Sequence, residues 1–232
     1  MSHLLFPLPI PSVAIAGTTT RFPVRRIICV GRNYAAHARE MGKDPDREPP
    51  FFFFKPADAV VEDGAHVPYP PLTKDLHHEI ELVVAIGGEG TDIPRESTLE
   101  HVFGYAVGLD LTRRDLQNEA KAHGRPWDWG KGFDHSAPCG AIHPVGEVGH
   151  PSAGRIWLEV NGVVRQQGDL TELIWAVPDV IGLASQALRL MPGDLIYTGT
   201  PSGVGALVSG DRLRGGVDGV GEIAIEIGPA GT

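Results

Sequence analysis

The chain has 232 residues, 42% apolar and 21% charged, which is enough to bury about 70% of its unfolded surface in one soluble globular unit. A formal net charge of −9 excludes the Lys/Arg-rich surface on which nucleic-acid binding depends and leaves a small molecule as the expected partner. The 30 glycines and 20 prolines favour strands, turns and loops over a helix bundle.

Pro7, Pro9 and Pro11 interrupt an amino-terminal segment without a basic flank, which argues against a signal peptide and a membrane helix. Residues 1–24 read as an extended Pro-rich arm, and 25–232 as one continuous domain. Cys29 and Cys139 lack C-x-x-C spacing and read as buried reduced thiols, so a cytoplasmic location is expected. Arg26 to Val30 is a short buried strand. Asn33 then caps a helix from Tyr34 to Met41, with Gly42 as its stop. Prolines bound the aromatic strand Phe51 to Phe54.

Asp75-Leu-His-His-Glu-Ile-Glu-Leu-Val-Val-Ala-Ile-Gly87 reads as a strand carrying Glu79 and Glu81. At a spacing of two, both carboxylates and His77 share one face, while His78, Ile80, Leu82, Val84 and Ile86 take the other. Val102 to Leu109 is the next strand. It leads to Asp110 and to Thr112-Arg-Arg-Asp115, which has the form of a capping box opening a helix. Asn161-Gly162 marks a two-residue hairpin, and Asp218-Gly219 a similar turn. Pro178 suits the first turn of a helix toward Leu190. A strand Leu195 to Thr198 and the loop Gly199 to Gly205 follow. That loop has neither the lysine of a phosphate-binding loop nor the glycines of a dinucleotide fingerprint, and reads as a tight loop beside a pocket.

Glu79, Glu81 and Asp110 form a hard, all-oxygen set suited to Mg²⁺ or Mn²⁺ rather than zinc. Spacing alone fits equally a solvated edge-strand face with Asp110 as a helix cap. His37 and Glu40, three apart on the short helix, would form a carboxylate-oriented general base for water, or a plain surface pair. Lys131, in Trp127-Asp-Trp-Gly-Lys-Gly-Phe133, is either catalytic or a solvated lysine.

Several segments recur in order over most of the chain after the arm. They are Val30-Gly-Arg-Asn-Tyr-Ala-Ala-His37 with Glu40, Phe54-Lys-Pro56, Leu76-His-His-Glu-Ile-Glu81, Gly104-Tyr-Ala-Val-Gly-Leu-Asp110 with Arg114, Asp115 and Gln117, Gly130-Lys-Gly-Phe133, Val160-Asn-Gly162, and Gly193-Asp-Leu-Ile-Tyr-Thr-Gly-Thr-Pro201 with Gly203 to Gly205. Together they resemble the fumarylacetoacetate hydrolase family, in its compact, acylpyruvase-like branch. Ala38-Arg-Glu-Met-Gly42, Arg47 to Pro56 and Gly124-Arg-Pro-Trp127 resemble the members that cleave fumarylpyruvate in gentisate breakdown.

The resemblance implies an α+β fold, dominated by mixed sheet in a β-roll-like core with a few short helices, and a homodimer. It implies Mg²⁺ or Mn²⁺ on Glu79, Glu81 and Asp110, catalysis by His37, Glu40 and Lys131, and substrate contacts from Arg32, Lys55, Arg114, Gln117 and Thr200. The implied reaction hydrolyses the C–C bond of a 2,4-dioxo acid. Water adds at the acyl carbonyl, a pyruvate enolate leaves, and Lys131 and Gln117 steady the oxyanion. Arg32, Arg114 or Arg125 would receive the far carboxylate of a fumaryl group. Oxaloacetate decarboxylation and hydroxydienoate isomerisation could use the same site, and a non-catalytic oxo-acid binding protein is a reading from another class.

Overall fold

Strand after strand of β-branched and aromatic residues assembles around the run from Ile80 to Ile86, which is buried along its whole length. The structure is a computed structural model, described here for residues 5–35 and 49–230. The helix expected from Tyr34 to Met41, with His37 and Glu40, falls mostly outside the described residues.

A six-stranded mixed sheet has the order His143–Pro144, Val102–Leu109, Ile80–Ile86, Asp194–Tyr197, Arg26–Gly31 and Phe51–Lys55. Only the pairing of Asp194–Tyr197 with Arg26–Gly31 is parallel in it. A five-stranded sheet runs Val163–Asp169, Arg155–Val160, Arg212–Val217, Gly221–Ala230 and His66–Tyr69. Alternation along each strand divides the apolar residues between two cores. Ile28, Ile80, Leu82, Val84, Val107 and Leu109 meet Ile156, Leu158, Leu213, Ile223 and Ile225 in one core. Ile27, Cys29, Val83, Ala85, Leu195 and Tyr197 build the other. Each such side chain, fully buried, contributes about 1.5–3 kcal/mol. Both cysteines are buried and unpaired. Among the described residues no helix is long and apolar enough to cross a membrane.

The α+β, strand-dominated architecture agrees with the sequence reading, and the differences have local causes. Residues 12–24 are not an extended arm: Ser12–Ala14 pairs with Arg21–Pro23, and Val13, Ile15, Phe22 and Val24 enter the second core. The strand expected across Glu79 is broken there. Leu76–His78 joins a three-stranded sheet with Thr112–Arg113 and Gly205–Leu207, and Ile80 starts the six-stranded one. Glu79 therefore sits at the crossing of two sheets. Asn161 and Gly162 form the expected hairpin turn, with φ of 54° and 76°. The helix opened by Pro178 spans Val177–Ala187.

The capping role expected of Asn33 falls on residues outside those described, but Asn33 also has long-range partners. Its amide donates to Trp175 O and Thr198 O, both at 2.8 Å, and accepts from Trp175 N–H at 2.7 Å. Fully buried, it ties the loop after Thr198 to the loop before the Val177 helix. Asn33→Ala should lower unfolding free energy in urea by about 2–4 kcal/mol, because three buried backbone groups lose their partner. A change below about 0.5 kcal/mol would remove Asn33 as a structural tie.

Candidate metal centre and cleft

Three elements bring the acids together. Glu79 stands at the break between sheets, Glu81 is the second residue of the central strand, and Asp110 follows the neighbouring strand. The Asp110 N–H donates to Glu79 O at 2.9 Å, which locks the two backbones. One carboxylate oxygen from each of the three lies within 4.8 Å of the others, and all three residues are buried. The solvated edge-strand alternative is thereby excluded, since Ile80–Ile86 is an inner strand.

Buried carboxylates need compensation, and cations converge on two of the three. Lys131 Nζ donates to Asp110 Oδ2 at 2.6 Å, Glu79 Oε2 at 2.9 Å and Thr112 Oγ1 at 2.7 Å, which uses all three of its N–H bonds. Burial acts to lower its pKa, but Asp110 and Glu79 outweigh that and hold it above the ordinary lysine value. Arg114 pairs with Glu79. Lys55 Nζ forms a buried ion pair with Asp110 Oδ1 at 2.8 Å. Glu81 makes no ion pair among the described residues and accepts only the Gly199 N–H, at 2.7 Å. Burial first, then Asp110 and Glu79, raise its carboxyl well above the usual range. A buried acid with no ion pair among the described residues, in an all-oxygen cluster, fits a hard divalent cation.

The Gly199 contact depends on backbone that other residues adopt poorly. Gly199 has φ of 102°, and a Cβ there would lie 2.7 Å from that of Asn33. Thr112 is likewise absorbed by the cluster. Instead of capping the helix, its hydroxyl donates toward Glu79 Oε1 and Asp110 O and accepts from Lys131. Asp115 turns the other way, accepting from Thr73 Oγ1, Lys74 N–H and Leu116 N–H.

The acids form one end of a cleft lined also by Arg32, Phe51, Phe53, Arg114, Gln117, Lys121, Trp127, Lys131 and Thr200, with about 390 Å³ of empty volume open to solvent. Lys55 is outside that lining, bonded to Leu111 O and Lys131 O. Arg125 is exposed beside Glu119, also outside it. His77, as the shared face predicts, lies next to the acids through Arg114, with Nε2 on Asp75. His78 points away toward Gln166.

Two hydrogen-bond donors in the cleft can be oriented from their partners. Gln117 Oε1 accepts from Arg114 at 2.7 Å and Lys121 at 3.0 Å; both can only donate, so the amide NH₂ is the other end, and it has no partner among the described residues. Ile80 N–H fixes Gln166 Oε1 as an acceptor, so Gln166 NH₂ donates to Thr200 Oγ1 at 2.8 Å. The Thr200 hydroxyl therefore keeps its own proton to offer. Sequence reading missed Thr112, Gln166 and Lys121. Lys121 could have been found, because Arg114, Gln117 and Lys121 stand at i, i+3 and i+7 on one helix face.

Comparison with known proteins agrees with this geometry. The family model for the fumarylacetoacetate hydrolase C-terminal region matches residues 26–227. A fumarylpyruvate hydrolase of a Ralstonia species is 47% identical over 82% of this chain and 100% of its own. The mitochondrial oxaloacetate tautomerase FAHD1 of Rattus norvegicus is 43% identical over 84% of this chain and 88% of its own. The crystal structure of fumarylpyruvate hydrolase from Pseudomonas aeruginosa, in complex with Mn²⁺ and pyruvate, superposes with a TM-score of 0.96 at 53% identity, covering 98% of this chain and 100% of that one. The chain belongs to the fumarylacetoacetate hydrolase family.

Proposed function

We propose that the protein is a metal-dependent hydrolase cleaving the C–C bond of an acylpyruvate, with fumarylpyruvate as substrate and fumarate and pyruvate as products. The observation that carries the reading is the convergence of Glu79, Glu81 and Asp110, buried and incompletely compensated, at the end of an open cleft. The Pseudomonas relative, with Mn²⁺ and pyruvate bound, supports both the ion and the product. Glu79, Glu81 and Asp110 would hold Mg²⁺ or Mn²⁺, which when bound supplies Lewis-acid stabilisation of the enolate charge released by the cleavage.

The chain's own groups do the rest. His37, oriented by Glu40, takes the proton from the attacking water; the ordered motif around these two residues supports that role. The Gln117 NH₂ and the Thr200 hydroxyl are the oriented donors for substrate oxygens. Lys131 holds Glu79 and Asp110 in place, and its charge stands beside the developing oxyanion. Arg114 acts through Glu79 and Gln117, and Lys55 through Asp110. Arg32, on the cleft wall, faces the acyl chain.

A place in gentisate catabolism, a homodimeric state and a cytoplasmic location belong to the same proposal. Exposed Leu5, Phe6, Leu8 and Ile10 support a partner surface, and the free thiols suit a reducing compartment. The tautomerase relative favours a second reading, enol–keto interconversion of oxaloacetate at the same centre.

Incubation of fumarylpyruvate with enzyme and Mn²⁺ should release equimolar fumarate and pyruvate, and a chelator should abolish it. Turnover of oxaloacetate tautomers alone would favour the second reading. His37→Ala should lower turnover about 10²–10⁴-fold with Mn²⁺ affinity unchanged; wild-type turnover would remove it as the base. Because the carboxyl of Glu81 is raised, it holds a proton to higher pH than an ordinary glutamate, and over that range Mn²⁺ binding should release protons and tighten as pH rises. Calorimetry in two buffers of different ionisation enthalpy measures this. Glu81→Gln should weaken binding about 100-fold or more and abolish the release; a flat pH profile in the wild type would contradict the ligand role.

A further inference from the structure

Resting on the acylpyruvate-cleaving reading, we propose that Lys121 is the specificity residue of the cleft. Its ammonium receives a carboxylate at the far end of the acyl chain and so selects diacid acylpyruvates over neutral ones.

Lys121 lines the same cleft as the acids and is half-buried. Its contacts are Gln117 Oε1 at 3.0 Å and the face of Trp127, 4.8 Å from the ring centroid. Among the described residues it has no carboxylate partner, in contrast to Lys55, Lys131 and Arg114, each of which is paired to Glu79 or Asp110. Arg114 is occupied by Glu79 and Gln117, and Arg125, exposed beside Glu119, lines a neighbouring hollow that shares Phe51, Phe53 and Trp127 but not the acids. Burial, then the charges of Arg114 and Lys131, with Glu79 opposing and Arg32 adding, bring the Lys121 pKa down to about 8. A half-buried cation with cationic neighbours gains most from an arriving anion.

The wall between the two ends of the cleft suits an unsaturated chain. Lys131 Nζ lies 5.0 Å from the Phe53 ring, Phe53 lies 5.9 Å from Trp127, and Trp127 carries Lys121. Phe51 meets Trp127 edge-on at 5.0 Å. An ammonium thus stands at each end of this run of rings, Lys131 bonded to the acids and Lys121 set apart from them by Gln117 and Arg114. A planar acyl chain with a terminal carboxylate matches that arrangement, because its apolar middle covers the rings and its far charge meets Lys121.

The test uses two inert seven-carbon acids that lack the 4-oxo group and cannot be hydrolysed, 2-oxoheptanedioate and 2-oxoheptanoate. Both are titrated into the Mn²⁺-loaded protein by calorimetry. The wild type should bind the diacid about tenfold or more tighter than the monoacid. Lys121→Met, which keeps an unbranched stem on Trp127, should erase that preference and leave monoacid affinity within about twofold. Lys121→Arg should restore the preference. A Met variant that keeps it, or that loses both ligands equally, overturns the proposal. If the preference depends on Lys121 while fumarylpyruvate is not cleaved, the specificity role stands and the hydrolase reading fails.

Discussion

Three carboxylates buried within reach of one another are the constraint around which this fold is arranged. In a low-dielectric interior each uncompensated anion costs several kcal/mol, so the surrounding chain is committed to compensating them. Lys131 spends all three donors on Glu79, Asp110 and Thr112, and Arg114 reaches Glu79 from the first turn of its helix. The Gly199 backbone takes a conformation that offers its N–H to Glu81. Even so, among the described residues Glu81 has no ion pair and accepts only the Gly199 N–H. A purely structural ion-pair network would close that gap; a cluster that leaves it open is arranged to receive a further positive charge.

The same constraint explains where local sequence signals mislead. Thr112 and Asp115 have the spacing of a capping box, yet Thr112 is drawn into the acids and Asp115 to the loop at Thr73. Asn33, a helix cap by type, also satisfies three backbone groups from loops more than 140 residues away in sequence. For Thr112 and Asp115 the tertiary partners outcompete the local one. The break at Glu79 has the same origin: period-two alternation continues through it, while strand pairing changes from one sheet to another.

Much else was legible. Alternation placed Glu81 opposite Ile80 and Leu82, and separated His77 from His78. The turn chemistry of Asn161-Gly162 placed the hairpin, and the three acids singled out by spacing together with the family resemblance do converge. Lys55, expected at the substrate, stands behind Asp110, because a lysine by itself looks the same in sequence whether it is buried behind an acid, facing a cleft or in solvent. Only the fold separates Lys55, outside the cleft lining, from Lys121, within it.

The cleft then has a chemical direction. Acids and their cations lie at one end, aromatic rings form the wall, and oriented donors from Gln117 and Thr200 line it. That direction is useful only if a divalent ion joins the acids. Crystals soaked in Mn²⁺ and measured for anomalous scattering test this directly. One strong peak within about 2.0–2.3 Å of oxygens from Glu79, Glu81 and Asp110 is the expected result. Peaks confined to the surface, with none among these three residues, would contradict it.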